Sequence, residues 1–245
     1  MLPKLHKKYS KAVLDGFRLA KDKKEQVIIG SIVNDYCELT NDGKLIPSEA
    51  DTTSSSFFGK DMFSGKNAFF QSHFGNLTSL HFMSKEKGEP ASVTMGELKL
   101  WFKFLNNVAV GRITVAANSL IGTEAIIGCM FTKGDIEYKM IYDTDRGDEI
   151  QFRSLGMMLH LIQDALTPSH CERNEKNEIV QFYFYGAQDS KKHSKADDVK
   201  KDQKEFLLEQ CRLCVDSVLK GKLYSTKPIL TLSKNAQVSS GGVYA

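Results

Sequence analysis

The stretch GMMLHLIQDALTPSH, which runs from Gly156 to His170, decides the fold because it has the pattern of a buried helix with a polar stripe. Apolar residues surround the helix axis, and a helix that is apolar nearly all round is typical of a domain interior. Its polar side chains are spaced three or four residues apart and therefore share one face. These side chains are His160, Gln163, Asp164 and Thr167. A buried, unpaired carboxylate is costly, so the pattern predicts a partner for Asp164.

Pro168 marks the end of this helix, because the residue before a proline is disfavoured in the α-helical conformation. His170 therefore comes from the loop just beyond the helix. Two ligands one turn apart, with a third from the adjoining loop, suit a transition metal bound by imidazole and carboxylate. By itself, the stretch leaves open a simpler alternative, in which His160 and Asp164 form a hydrogen-bonded pair inside a helical core.

The composition is that of an ordinary soluble globular protein. The chain has 245 residues, 41% of them hydrophobic and 26% charged, and one domain is the simplest organisation for that length. A net charge of +3 permits an anionic substrate or a membrane surface and does not require nucleic acid. We find no transmembrane segment and no secretory signal, which predicts a chain that is cytoplasmic or exported without a classical signal peptide.

Helical patterns dominate the chain. The apolar periodicity predicts helices over residues 5–20, 25–39, 94–120, 152–167 and 204–220. Residues 41–80 have the composition of a long loop, and residues 122–152 fit either a helix–turn–helix or a hairpin. We expect one helical domain over residues 1–221, followed by an extended C-terminal tail over residues 222–245.

The spacing H-x-x-x-D-x-x-x-x-x-H is formed by His160, Asp164 and His170, with Leu-Gly before it and Pro168 two residues before the last histidine. This motif resembles the core signature of the zinc-dependent phospholipase C family, which also covers the related fungal and plant single-strand nucleases. The match is position for position, and the flanking residues make it specific.

Three further segments resemble family elements and occur in the family's order, so that the resemblance spans roughly residues 5–220. HKKYSKAVLDGF resembles the first helix and nominates His6 as a ligand. HFMSKEKG resembles a His-Phe element followed by a polar turn and nominates His81, with His73 in QSHFGN as the weaker alternative. HSKAD supplies a histidine followed four residues later by an acid, and nominates His193 and Asp197.

Two family ligands remain open at this point. The family has one more aspartate between the first helix and the His-Phe element, and IIGSIVNDY places Asp35 first, with Asp51 in SEADTT as the competitor. Family members also use the amine and carbonyl of the mature chain's first residue, usually a tryptophan. Here Met1 stands five positions before His6, the same spacing as in the nuclease branch, and the resemblance nominates its amine.

The resemblance implies an all-α, single-domain, multi-helix bundle with a cleft at the helix ends that holds about three zinc ions. One ion would be bound by His81, His160, Asp164 and Asp35 (or Asp51). A second would be bound by His170, His193 and Asp197, and a third by His6, the Met1 amine and Asp164. Clustered zinc ions polarise a phosphodiester and generate a nucleophile at neutral pH, and Asp35 or Asp51 would act as the general base.

Three functions follow as alternatives. The first is a phospholipase C that hydrolyses a glycerophospholipid to diacylglycerol and a phosphorylated head group, because LHLIQDALTPSH looks more like the phospholipase members. In this case the substrate lies at a membrane surface, which apolar and basic side chains would contact. These side chains are Phe57, Phe58, Phe69, Phe70, Lys191, Lys192 and Lys195.

The second alternative is a single-strand nuclease or 3'-nucleotidase-type phosphodiesterase. Asp197, where many phospholipases have glutamate, and the 23-residue separation of His170 and His193 favour it. An aromatic such as Phe82 would then stack a base. Ser84 stands where both branches usually have an aspartate, so inherited substrate contacts do not carry over there. The third alternative is a metal-stabilised helical domain that acts through partners and is not an enzyme.

Overall fold

The computed structural model describes residues 1–39, 45–47, 77–119 and 137–242, and this part of the chain is mostly helical. The helices are α1 (Pro3–Leu14), α2 (Lys21–Gly30), α3 (Ala91–Ala109), α4 (Tyr138–Tyr142), α5 (Gly147–Asp164), α6 (Ser190–Lys195) and α7 (Lys204–Leu219). Two short antiparallel hairpins accompany them, β1 (Tyr36–Leu39) with β2 (Leu45–Pro47) and β3 (Cys171–Arg173) with β4 (Ile179–Phe182). The helical prediction is confirmed in this coarse form, and the hairpins were not predicted.

Helix α5 is the central element. Every residue from Arg153 to Asp164 is buried, as predicted for an all-round apolar helix, and α2, α3 and α7 pack around it. The helix begins earlier than the predicted residue 152, because Asp148 and Glu149 occupy its first turn, where acidic side chains stabilise a helix N-terminus.

Helices α2 and α5 touch backbone to backbone through two glycines. A Cβ atom on Gly30 would lie 2.2 Å from the carbonyl oxygen of Arg153, and one on Gly156 would lie 2.2 Å from that of Val27. The helix predicted in the stretch 25–39, with its end near Asp35, is wrong beyond Gly30, where α2 ends. The chain then forms a 3-10 turn at Val33–Asp35, which directs Asp35 towards the end of α5.

Helix α1 is shorter than the predicted 5–20. It begins at Pro3, a residue that suits the first turn because a proline lacks the N–H that would be unpaired there. One face buries His6, Tyr9 and Val13 against α7 and α2. Helix α3 likewise ends before the predicted residue 120, since Gly111 turns the chain with a φ of +75°.

Residues 222–242 are irregular: the segment first packs on α3 through Tyr224 and then forms isolated bridges with the second hairpin. Leu232 pairs with Ile179, and Ser240 pairs with Tyr183. The buried Arg173 guanidinium donates to the carbonyl oxygens of Ala165 (2.8 Å), Asn177 (2.8 Å) and Ile229 (2.9 Å). This single side chain therefore joins the segment after α5, the hairpin and the C-terminal segment.

None of the helices in the described ranges combines the length and the apolar character that a membrane crossing requires.

Candidate metal centre

Five histidines and three aspartates from distant parts of the chain converge at the C-terminal end of α5. They are His6, Asp35, His81, His160, Asp164, His170, His193 and Asp197, and all are buried. The sequence nominated each of them, and the structure brings them together. They form three groups that could each hold a metal ion. Other nominated residues lie outside the described part of the chain: Asp51, Phe57, Phe58, Phe69, Phe70 and His73.

Asp164 lies at the middle of the cluster. It is one turn after His160 on α5, and the helical spacing places its Oδ2 2.9 Å from His160 Nε2. Its Oδ1 lies 3.2 Å from His6 Nε2, and its Oδ2 lies 3.6 Å from His81 Nδ1. One carboxylate therefore faces histidines from three elements, which suits a bridging ligand.

The first group consists of Asp35, His81 and His160. His81 is the last residue of the 3-10 turn Thr78–His81, and its Nδ1 lies 3.6 Å from Asp35 Oδ1 and 3.3 Å from His160 Nε2. Donor atoms 2.0–2.2 Å from a tetrahedral zinc ion are roughly 3.3–3.6 Å apart. The group therefore has the spacing of a zinc site, with Asp164 beside it.

The second group consists of His170, His193 and Asp197. The Nε2 atoms of His170 and His193 lie 3.1 Å and 3.6 Å from Asp197 Oδ1. Helix α6 is only six residues long, and Asp189 caps it by accepting a hydrogen bond from the Lys192 backbone N–H. That cap fixes the turn that carries His193.

The third group consists of His6, His160 and Asp164, and the rings of His6 and His160 stack with centroids 4.0 Å apart. The Met1 nitrogen is next to this group, 2.7 Å from Asp164 Oδ1 and 3.0 Å from Asp197 Oδ1. The structure thus places the nominated amine between the second and third groups.

In each histidine, one ring nitrogen is held by an acceptor that is not one of the cluster's inward-facing donor atoms. His81 Nε2 donates to the Asn34 carbonyl oxygen (3.0 Å), His160 Nδ1 to that of Ser31 (3.1 Å), and His170 Nδ1 to that of His81. A carbonyl oxygen only accepts, so each of these nitrogens carries the proton. The other nitrogen of each ring then presents a lone pair to the cluster.

Two glutamines do the same for the remaining histidines. His6 Nδ1 donates to Gln163 Oε1 and His193 Nδ1 donates to Gln188 Oε1, both at 2.6 Å. The Gln188 amide is oriented because its Nε2 donates to the Ser169 carbonyl oxygen at 2.9 Å. Outer hydrogen bonds of this kind fix the tautomer of metal-binding histidines. All five rings therefore direct their second nitrogen inwards, where it can bind a metal ion when it is unprotonated.

Several inward atoms are buried without a hydrogen-bond partner among the residues described: His6 Nε2, Asp35 Oδ2 and Asp164 Oδ2. Such atoms are costly unless something compensates them. Burial lowers the pKa of His6 and His193 to about 3 and that of His81 to about 4, which keeps these rings neutral. Neutral imidazoles beside carboxylates are the state that binds a cation.

The pKa values of the Asp35 carboxyl group and the Met1 amine are strongly shifted. Burial raises the pKa of Asp35 to about 8. Burial opposes the charge of the Met1 amine, but Asp164 and Asp197 outweigh it and raise the amine pKa to about 11. The pKa of His160 is also raised, because the neighbouring Asp164 and Asp35 outweigh its burial. In the metal-free cluster, protons therefore offset part of the carboxylate charge.

Phe82 does not have the role that the sequence suggested, and Ser84, for which no role was predicted, makes a structural contact. Phe82 is fully buried and packs on Phe182 with ring centroids 5.6 Å apart, so the expectation that it stacks a base is wrong. Ser84 is buried and donates through Oγ to the Tyr183 carbonyl oxygen at 3.1 Å, a contact that fastens the 3-10 turn region to the hairpin.

Gln163 and Gln188 were not nominated as functional residues. Gln163 had a signal, because it is on the same polar face of α5 as His160 and Asp164. Gln188 had none, since a glutamine in a polar loop does not stand out. The carbonyl acceptors of Ser31 and Asn34 are backbone atoms, and no side-chain pattern reveals them.

Comparisons of the chain with protein-family models, with curated proteins and with solved structures found no match. The case for a metal centre therefore rests on the converging donors, their spacing and their outer hydrogen bonds. What the described residues establish is a buried histidine–aspartate cluster with three groups able to hold metal ions.

Proposed function

We propose that this chain is a zinc-dependent phosphodiester hydrolase of the phospholipase C type, which splits a glycerophospholipid into diacylglycerol and a phosphorylated head group. The observation that carries the proposal is the set of five histidines whose outer nitrogens are all held and whose inner nitrogens all face carboxylates. A hydrogen-bonded structural core needs no such convergence. Imidazole and carboxylate donors without thiolate suit zinc in a hydrolytic site.

Each of the three groups would hold one zinc ion. His160 would bind only the ion of the first group through Nε2, Asp164 would be shared between the first and third ions, and the Met1 amine would complete the third site. When bound, zinc supplies Lewis-acid polarisation of the phosphodiester and a nucleophile at neutral pH. Gln163 and Gln188 keep the His6 and His193 rings oriented. Asp35 would accept the proton of the attacking water at Oδ2, with Asp51 as the competing candidate for that role.

A second candidate, cleavage of single-stranded nucleic acid, is supported by one feature. Tyr185 is half-buried and packs edge-on against His193, with ring centroids 5.0 Å apart. An aromatic ring beside a phosphodiesterase centre can stack a base. This would give Tyr185 the part that the buried Phe82 cannot take.

The test is a side-by-side assay of zinc-loaded protein on phosphatidylcholine vesicles, other phospholipid vesicles and single-stranded DNA. We expect release of a phosphorylated head group from phospholipid and little cleavage of DNA. The reverse preference would replace the phospholipase proposal with the nuclease one. Absence of both activities in a sample with three bound zinc ions would favour the non-enzymatic, metal-stabilised domain.

Two neighbouring aspartates offer a matched control. Asp197 is buried in the cluster, whereas Asp198 is exposed and accepts a hydrogen bond from the Tyr9 hydroxyl at 2.8 Å. Asp197→Asn removes a ligand charge and should reduce hydrolysis by a hundredfold or more, by about the amount a lost metal ligand costs. Asp198→Asn should keep most of the activity. Equal activity of the two variants would contradict the assigned site.

A further inference from the structure

One surface next to the metal centre carries a concentration of lysines that the site itself does not use. In α1, the exposed residues Lys4, Lys7 and Lys11 recur with helical spacing and form one stripe, with Lys8 beside it. The helix contains no acidic residue between Pro3 and Leu14. Its opposite face is buried and supplies His6 to the cluster.

A second lysine-rich segment lies against this helix. The Met1 nitrogen is 3.0 Å from Asp197 Oδ1, and the Tyr9 hydroxyl donates to Asp198 at 2.8 Å. Further along, the ammonium groups of Lys8 and Lys204 both lie over the Tyr9 ring, 5.9 Å and 5.8 Å from its centroid. Helix α1 and residues 197–204 therefore form one continuous surface, and we call this surface, together with the lysines of the adjoining α6, the basic face.

The charges on the basic face are unbalanced. Its exposed lysines are Lys4, Lys7, Lys8, Lys11, Lys191, Lys192, Lys195, Lys200, Lys201 and Lys204. The same two stretches, residues 3–14 and 190–204, contain three aspartates. Asp197 points into the metal cluster and Asp198 pairs with Tyr9, which leaves Asp202 within the two stretches, and the exposed Asp15, Asp189 and Glu205 directly beside them, against ten lysines. A chain whose net charge is only +3 thus concentrates its positive charge on one face.

We propose that the basic face docks the protein onto membranes rich in anionic lipid. Clusters of four to eight lysines bind anionic bilayers electrostatically. The composition favours a membrane over nucleic acid. The face contains lysines and no arginine, and its one aromatic ring, Tyr9, is buried and cannot stack a base.

This inference deepens the proposed function and rests on it for its biological meaning, but it concerns binding and is tested without turnover. The experiment is sedimentation of the full-length, zinc-loaded chain with vesicles of phosphatidylcholine alone or with 30% phosphatidylserine. We expect at least tenfold stronger partitioning to the anionic vesicles at 0.1 M salt, with most of it lost at 0.5 M salt.

Two triple variants with the same change in net charge locate the surface. Lys7→Glu, Lys11→Glu and Lys201→Glu together should weaken partitioning to anionic vesicles by about a hundredfold. The control triple reverses Lys99, Lys103 and Lys227, which are exposed and lie outside the basic face. The control triple should weaken partitioning to anionic vesicles by less than a tenth of the change seen in the first triple. Thermal unfolding and hydrolysis of a soluble short-chain phospholipid should be the same for both triples.

Three results would overturn the inference: equal partitioning to neutral and anionic vesicles, equal losses in the two triples, or tighter binding of single-stranded DNA than of anionic vesicles. Failure of the proposed function has a different signature. In that case the zinc-loaded chain would bind anionic vesicles through the basic face, yet would not hydrolyse the short-chain phospholipid.

Discussion

Replacing Gly156 with alanine should push α2 and α5 apart and disturb the metal cluster. The added Cβ would lie 2.2 Å from the Val27 carbonyl oxygen and 2.6 Å from the Ser31 nitrogen, and both are backbone atoms that cannot rotate away. An ordinary contact needs more than 3 Å, so the helices must separate by about 1 Å. The Ser31 carbonyl that holds His160 would move with α2.

The expected cost follows from two opposing effects. Overpacking a rigid contact costs roughly 3 kcal/mol, and alanine recovers up to ~1 kcal/mol of helix propensity. For a chain of this size a net loss of about 2 kcal/mol lowers the melting temperature by roughly 4–8 °C. We also expect weaker zinc binding, because a cluster displaced by about 1 Å no longer has the donor spacing of a zinc site.

The control is Gly96→Ala, in the middle of α3, where a Cβ meets no atom within 4 Å. This variant should melt at the same temperature as the parent or a few degrees higher, and it should keep its zinc affinity. Thermal unfolding followed by circular dichroism and zinc titration measure both properties. If Gly156→Ala and Gly96→Ala behaved alike, the close contact of α2 and α5 would not position the cluster.

Three further predictions concern the same architecture. Because the pKa values of Asp35 and the Met1 amine are raised, both groups hold a proton at pH 7. Zinc uptake should therefore release about two protons, and zinc affinity should fall as the pH falls. Calorimetry in buffers of different ionisation heat measures this release, and a result of no proton release would contradict the prediction. Gln188→Leu removes the acceptor that orients His193 and should weaken one zinc site by about 10–100-fold, whereas Gln181→Leu, in the preceding strand β4, should not. Arg173→Leu leaves three carbonyl oxygens without their charged donor and should reduce the free energy of unfolding by roughly 3 kcal/mol or more in chemical denaturation; a loss below 1 kcal/mol would contradict its structural role.

The central helix and its polar stripe could be predicted from the sequence because helical periodicity is a local property. The four-residue spacing of His160 and Asp164 determines that they share a face, and the structure has them 2.9 Å apart. The position of His170 beyond the helix followed from Pro168. These inferences needed only backbone geometry.

The convergence of His6, His81 and His193 on that helix could not be derived from spacing, because tertiary contacts between distant parts of the chain place them there. The resemblance to a family signature supplied those nominations, and it preferred Asp35 over Asp51 only by local context. The structure places Asp35 in the cluster, with Oδ1 3.6 Å from His81 Nδ1.

The features that the sequence pattern did not predict are mostly backbone atoms and glycines. Ser31 and Asn34 act through their carbonyl oxygens, which every residue possesses. The end of α2 at Gly30 was missed because the apolar run IIGSIV continues the helical periodicity past it. The glycine itself was the available signal, since a glycine inside an apolar helical run indicates a close backbone approach or a helix end.

The central claim is that the buried histidines and aspartates bind a cluster of divalent cations. X-ray diffraction from crystals of chelator-free protein, recorded on both sides of the zinc absorption edge, tests it most directly. We predict three anomalous peaks at the end of α5, each within about 2.0–2.2 Å of donor atoms from one of the three groups. A map with no anomalous peak between His160, Asp164 and His170 would contradict the account.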